Sequence, residues 1–209
     1  MKERPILFNS EMVRAILDGR KMQTRRIVKP QPSNVINDLF IWKDNAAPRE
    51  ELLAFCPHGK PGDLLWVRET GWERPERTPK MMREGADTWE PYYFDVDGYT
   101  DLEREQFKEW GFKRRPSIHM PRWASRITLE IVGVRVEQLQ DIGEADARAE
   151  GVIIDDHHKG GYCTGEYLPP AIRAYRDLWE SINGHGSWDA NPWVWVIEFR
   201  RIDETGRLF

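Results

Sequence analysis

The residues best suited to chemistry lie in one short stretch, residues 19–26, which reads GRKMQTRR. Lys21 and Thr24 are three positions apart, so in a helical turn, or across a tight loop, their side chains can point the same way. An amine beside a hydroxyl can act as base and nucleophile. Arg25 and Arg26 would bind an anionic or hydrogen-bond-accepting ligand beside them. The stretch therefore predicts a catalytic or binding site.

A helix must position this stretch. Apolar residues recur at helical spacing between Met12 and Leu17, and Gly19 can end the helix in the left-handed conformation. A short apolar strand is predicted just before it. An explanation without function also exists for Lys21, because a cation just past a helix end is favoured by the helix dipole.

The same stretch resembles the G-x-K-x-x-T-x-R signature of ASCH domains, a PUA-like β-barrel group. The signature positions are Gly19, Lys21, Thr24 and Arg26. Further segments, in the expected order, are similar to the longer phage- and prophage-associated members of that group. These segments are RPILFNSEMVRAILDG, PGDLLWVRET, SIHMPRWASRITLEI, EADARAEGV and NPWVWVIEFRRI. The resemblance implies an α+β fold: a PUA-like mixed or antiparallel β-barrel with flanking helices, one domain over residues 1–209.

A carboxylate is predicted on a core-facing strand. Residues 64–70 alternate like a strand, and Glu69 continues the apolar row. Such a carboxylate either forms a structural salt bridge, for example with an arginine, or lies beside Lys21 and Thr24. In the ASCH amidohydrolase that deacylates acetylated cytidine, a Lys, a Thr and a Glu form the catalytic set. The resemblance therefore implies Lys21, Thr24 and Glu69 as catalytic residues.

Further residues are predicted to contact a ligand. The segment MPRWASR, residues 120–126, resembles a pocket wall in phage-type relatives, although a surface arginine before a strand is as often solvated. Arginine and tryptophan can hold and stack on a nucleic-acid base. The predicted ligand- or RNA-binding residues are Arg25, Arg26, Trp66, Arg68, Arg122, Ser125 and Arg126.

Two segments are interpreted as insertions, at about 72–116 and 152–168. The first is rich in charge and aromatic residues, and its Asp97-Gly98 pair is a hairpin turn signal. Its aromatic residues would form either a lid that stacks on a base or a small satellite core. These aromatic residues are Trp89, Tyr92, Tyr93, Phe94 and Tyr99.

The C-terminal half predicts a long strand over 127–136, where Gly133 marks either a bulge or a tight barrel corner, then helices over 142–150 and 169–183. A glycine ends each helix. The last strand, 193–200, is apolar on both faces, which is typical of a strand covered on both sides.

Composition limits the function classes. The 209 residues are 40% hydrophobic and 32% charged, which predicts a soluble protein with a core. A net charge of −4 excludes a global electrostatic attraction to nucleic acid, while 31 Lys and Arg leave room for a local basic patch. No apolar run approaches the ~18 residues of a membrane span, and no apolar signal core begins the chain. We expect a cytoplasmic protein without a membrane partner.

Metal binding is not predicted. Cys56 and His58, with His157, His158 and Cys163, invite a metal interpretation, but their spacing matches no standard zinc pattern. Two distant cysteines also argue against a disulfide scaffold. The sequence predicts no cofactor.

Three function classes follow from these observations. The first is an amidohydrolase acting on an acylated, acetylcytidine-like pyrimidine nucleoside, with Thr24 as nucleophile, Lys21 as base and Glu69 orienting the lysine. A neighbouring glutamate opposes the lowering of the lysine pKa that this role requires, and the sequence leaves that balance open. The second is a single-stranded RNA-binding protein or ribonuclease of the ASCH group. The third is a phage accessory protein with a non-catalytic pocket.

Overall fold

The computed structural model describes residues 1–43, 45–74, 83, 90–154 and 168–202. Helices and strands are mixed along the chain, which confirms the predicted α+β class. The strands are β1 Glu3–Leu7, β2 Gln23–Ile27, β3 Asn34–Ile36, β4 Leu39–Trp42, β5 Asn45–Pro48, β6 Leu64–Arg68, β7 Gly71–Glu73, β8 Tyr92–Phe94, β9 Lys113–Arg115, β10 Thr128–Gln138 and β11 Trp193–Ile202. The helices are α1 Ser10–Leu17, α2 Arg49–Ala54, α3 Asp101–Glu109, α4 Glu144–Ala149 and α5 Pro170–Asn183.

The main sheet has the strand order β1-β6-β10-β11-β2. β1 runs parallel to β6, and the other neighbours are antiparallel. In the described parts of the chain this sheet is open, with β1 and β2 at its edges, so the closed barrel that we expected is not seen there.

The long pair β10–β11 forms the centre of the sheet. Its register shifts between Ile131 and Gly133, which confirms the predicted bulge. A Cβ at Gly133 would lie 2.7 Å from a carboxylate oxygen of Glu198, so a larger residue at the bulge would require that side chain to move.

Both faces of β11 are covered, as its sequence predicts. Ile197 and Phe199 pack into a main core with α1, whereas Val194 and Val196 pack into a second core with α4 and α5. Burying one such aliphatic or aromatic side chain contributes roughly 1.5–3 kcal/mol. The two cores therefore hold α1 and α5 to opposite faces of the sheet.

Helix α1 has the boundaries that its sequence indicates. The side chain of Asn9 accepts a hydrogen bond from the Met12 backbone N–H at 2.8 Å, which caps its start. Gly19 has φ +71° just past its end. The chain then continues to β2, which begins at Gln23. Thr24 therefore lies on a strand. A helical turn shared by Lys21 and Thr24, which was one of the two geometries we expected, is not formed.

The segment over 72–116 contains a small sheet with the order β8-β7-β9 and the helix α3. Trp72, Phe107 and Phe112 form a buried cluster here, and the Tyr93 ring lies 4.7 Å from the Phe107 ring. This packing favours the satellite core over the lid, although Trp89 lies outside the described residues. The Asp97-Gly98 pair forms no hairpin, because β8 pairs with β7 earlier in the chain and Gly98 ends a 3-10 turn.

No helix among the described residues has both the length and the apolar character needed to cross a lipid bilayer.

Candidate functional site

A cavity of about 640 Å³ opens beside β2. Its walls come from the turn between β1 and α1, from β2, from α5 and from the Pro57-His58 pair. Thr24, Arg26 and Glu150 line it, and Thr24 and Glu150 are themselves almost fully buried. Cavities of this size are typical of small-molecule sites.

Lys21 lies behind Glu150. Its ammonium nitrogen donates to Glu150 Oε2 at 2.7 Å and to the Glu150 backbone carbonyl at 2.9 Å. Lys21 is not among the described residues that line the cavity. Its hydrogen-bond partner Glu150 does line the cavity.

The contact is built by the backbone. Lys21 and Glu150 form an isolated β-bridge, and the Met22 N–H donates to the Ala149 carbonyl at 2.8 Å. Gly151 follows with φ +84°, and a Cβ there would lie 2.8 Å from the Lys21 Cβ. A glycine at position 151 is therefore required for Lys21 and the end of α4 to approach this closely.

The surroundings of Lys21 lower the pKa of its ammonium group. Burial lowers the pKa of Lys21, and the charges of Arg26 and Arg25 lower it further, while Glu150 opposes them. The sequence left open whether the neighbouring glutamate or the other influences prevail, and the net effect is a lowered pKa of Lys21. A lysine with a lowered pKa can accept a proton nearer neutral pH.

Arg25 holds Glu150 from the other side. Its guanidinium is fully buried and donates to Glu150 Oε1 at 3.1 Å, to Asp146 at 3.0 Å and to Glu137 at 2.5 Å. Arg135 also contacts Glu137 and Asp146. Although Arg25 borders the cavity, its guanidinium hydrogen bonds go to this network, so it positions Glu150.

Arg26 is the cationic group best placed for a ligand. It lines the cavity, lies over the Phe8 ring at 5.2 Å and donates from Nη2 to the Leu7 carbonyl at 2.6 Å. Its buried Nε has no hydrogen-bond partner among the described residues. Such an unsatisfied donor is costly to leave unpaired unless a ligand or water meets it.

Aromatic side chains form other walls of the main cavity. Tyr175 and Trp179 of α5 line the cavity while also packing in the second core. His58 lines it too, and burial, with Arg26 and Arg4 nearby, lowers the pKa of His58 to about 4. The imidazole is therefore neutral at pH 7. Sequence reasoning placed none of these three residues in the catalytic or ligand-binding set; it considered His58 only as a metal ligand.

The catalytic role expected for Glu69 implies a position beside Lys21 and Thr24, but the partner of Glu69 is Arg126. Its carboxylate accepts from Arg126 Nε at 3.2 Å and Nη2 at 3.1 Å, which is the salt bridge considered as the alternative. Arg126 also contacts Asp97 at 2.7 Å. Glu69 lines a second, smaller cavity of about 230 Å³. The carboxylate in contact with Lys21 is that of Glu150.

The remaining predicted ligand residues lie away from the main cavity. Arg68 covers the Trp66 ring at 4.7 Å, and Arg122 pairs with Glu3 at 3.0 Å. The Ser125 hydroxyl donates to the Val67 carbonyl at 2.9 Å. The described residues that line the main cavity do not include Trp66, Arg68, Arg122, Ser125 or Arg126.

One sequence signal does point to Glu150. A carboxylate at the end of a helix is unfavourable beside the helix dipole unless a cation pairs with it. Glu150 directly follows α4 and precedes Gly151, so a cation beside it is favourable.

The described residues contain no group of three or more His, Cys, Asp or Glu arranged to hold a metal ion. His157, His158 and Cys163, which the metal interpretation requires, lie outside those residues.

Comparisons with protein-family models, with curated proteins and with solved structures found no match for this chain. Its function is therefore inferred from the chemistry of the site itself.

Proposed function

We propose that this protein is an amidohydrolase of the PUA-like ASCH group that deacylates a pyrimidine nucleoside such as acetylcytidine. The observation that carries the proposal is the solvent-excluded contact between Lys21 and Glu150, with Glu150 and Thr24 on the wall of one cavity. It supports a candidate base, Lys21, whose partner Glu150 lines the same cavity as the candidate nucleophile Thr24, with Glu150 in the place that the signature resemblance first gave to Glu69.

The reaction follows from these groups. The Thr24 hydroxyl oxygen bonds to the acyl carbon while its proton passes to the Lys21–Glu150 pair. The C–N bond then breaks, and the pair returns the proton to the leaving amine. Water attacks the acyl ester in the second half, which restores the Thr24 hydroxyl and releases the carboxylic acid. Arg26 is suited to stabilise the oxyanion.

The cavity also suits the rest of such a substrate. Tyr175 and Trp179 offer ring surfaces for a pyrimidine, and neutral His58 can donate or accept a hydrogen bond. The volume of about 640 Å³ lies within the range of ligand sites, roughly 300–1,000 Å³.

The test measures cytidine released from acetylcytidine by the purified protein. We expect Lys21→Ala and Thr24→Ala each to abolish release, and Arg20→Ala, an exposed change in the same stretch, to retain it. Equal release by wild type, Lys21→Ala and Thr24→Ala would reject the proposal, as would no release by the wild type.

A gel assay with labelled single-stranded RNA, run beside the turnover assay, separates the other classes. The RNA-binding protein predicts salt-dependent retention without deacylation, and the ribonuclease predicts cleavage of the RNA. The accessory protein predicts neither activity.

A further inference from the structure

A second cavity adjoins the first. It has a volume of about 230 Å³, and Phe8, Asn9 and Ser117 line both cavities. Glu69 and Thr70 line only the smaller one. A space below the roughly 300 Å³ typical of a whole ligand fits part of a ligand whose remainder lies in the larger cavity.

Glu69 gives this space a defined chemistry. Its side chain is 2% exposed, and its charge is balanced by Arg126, which donates one hydrogen bond to each carboxylate oxygen. A carboxylate offers about four acceptor positions, so acceptor capacity remains on both oxygens. A buried carboxylate of this kind binds groups that donate hydrogen bonds.

Ser117 adds a second polar group to the same wall. Its backbone N–H donates to the Thr70 hydroxyl at 3.3 Å. Its own hydroxyl has no hydrogen bond to another described group. Because Ser117 lines both cavities, it lies at the boundary between them.

We propose that the smaller cavity is the sugar subsite, in which Glu69 accepts hydrogen bonds from the ribose hydroxyls of the nucleoside while the acylated base occupies the larger cavity. This inference rests on the proposed deacylase function. Carboxylates that accept from ribose hydroxyls are an established solution in nucleotide-binding folds. Glu69 is then a specificity-determining residue.

The experiment compares acetylcytidine with acetylcytosine, which lacks the sugar. We expect Glu69→Gln to lower kcat/KM for acetylcytidine about 10- to 100-fold, mainly through KM, because a hydrogen bond to a charged group is lost. We expect kcat/KM for acetylcytosine to stay unchanged. The matched control is Asp97→Asn, which alters the other partner of Arg126 but no residue lining the cavity, and it should change neither value.

Equal losses with the two substrates in Glu69→Gln would overturn the sugar subsite. Thermal denaturation shows whether Glu69→Gln folds. If it does not fold, Ser117→Ala is the deciding variant. A lower kcat/KM for acetylcytidine alone supports the subsite, and the absence of such a selective loss overturns it.

A binding measurement separates this inference from the proposed function. Titration calorimetry with cytidine and with cytosine, on wild type and Glu69→Gln, requires no turnover. Tighter binding of cytidine that is lost in Glu69→Gln supports the sugar subsite even if no acyl compound is hydrolysed. Equal binding of cytidine and cytosine by the wild type overturns it.

Discussion

The ammonium nitrogen of Lys21 lies 2.7 Å from Oε2 of Glu150, although 129 positions separate the two residues. Their side chains are 0% and 2% exposed. Two charges removed from water in this way stabilise a fold little in net terms, since desolvation offsets most of their attraction. A charged pair held at this cost beside a cavity is therefore a candidate for a chemical role.

Replacing Glu150 tests this pair directly. Glu150→Gln keeps the shape but leaves the Lys21 and Arg25 charges buried with less compensation. We expect turnover to fall about 100-fold or more and the free energy of unfolding to fall by about 3–5 kcal/mol. Kinetics and urea denaturation measure the two effects. Glu130→Gln, which removes a more exposed partner of Arg200, should cost under about 1 kcal/mol; a similar cost for both variants would contradict the prediction.

The pH dependence of the proposed deacylation should report the state of Lys21. Because burial lowers the pKa of Lys21 below its ordinary 10.5, kcat/KM should rise with pH through a midpoint below that value. The charge of Arg26 contributes to the lowering, so Arg26→Gln should move the midpoint to higher pH. Arg20→Gln, outside the cavity, should leave it in place. A pH profile of Arg26→Gln that matches wild type would refute this assignment.

Gly151 should be more sensitive to substitution than Gly19. Both have positive φ, +84° and +71°, but an added Cβ meets the Cβ atoms of Ala15 and Lys21 only at Gly151. Gly19→Ala should cost about 1–2 kcal/mol in the free energy of unfolding, from backbone strain. Gly151→Ala should cost about 1–3 kcal/mol more, from overpacking. Urea denaturation of both variants measures the difference, and equal costs would show that the contact is absent.

His58 should contribute to acid sensitivity. Its pKa is about 4 in the fold and near 6.5 when unfolded, so between these values the unfolded chain binds more protons. His58 therefore makes stability fall as pH drops from about 6.5 to 4, and leaves it unaffected above that window. We expect His58→Gln to flatten the dependence of the unfolding free energy on pH, measured by denaturation at a series of pH values. The exposed His119→Gln is the control and should reproduce the wild-type slope.

Several local features were predictable because they depend on neighbours in the chain. Helix α1 and its end at Gly19, the two apolar faces of β11 and the bulge at Gly133 all follow from periodicity and backbone preference. The hairpin expected at Gly98 did not form, because strand pairing with β7 outweighed the local turn signal. Sequence spacing alone cannot rank a local turn against a distant partner strand.

The sequence by itself determined the α+β class, the main elements and the candidate stretch that contains Lys21 and Thr24. Only the tertiary structure decided which carboxylate contacts Lys21 and that Glu69 and Glu150 line separate cavities. The physical reason is that periodicity reports which face of an element is buried. The choice of partner between buried charges is made when the β-bridge at Glu150 and the order of the strands bring remote backbone segments together.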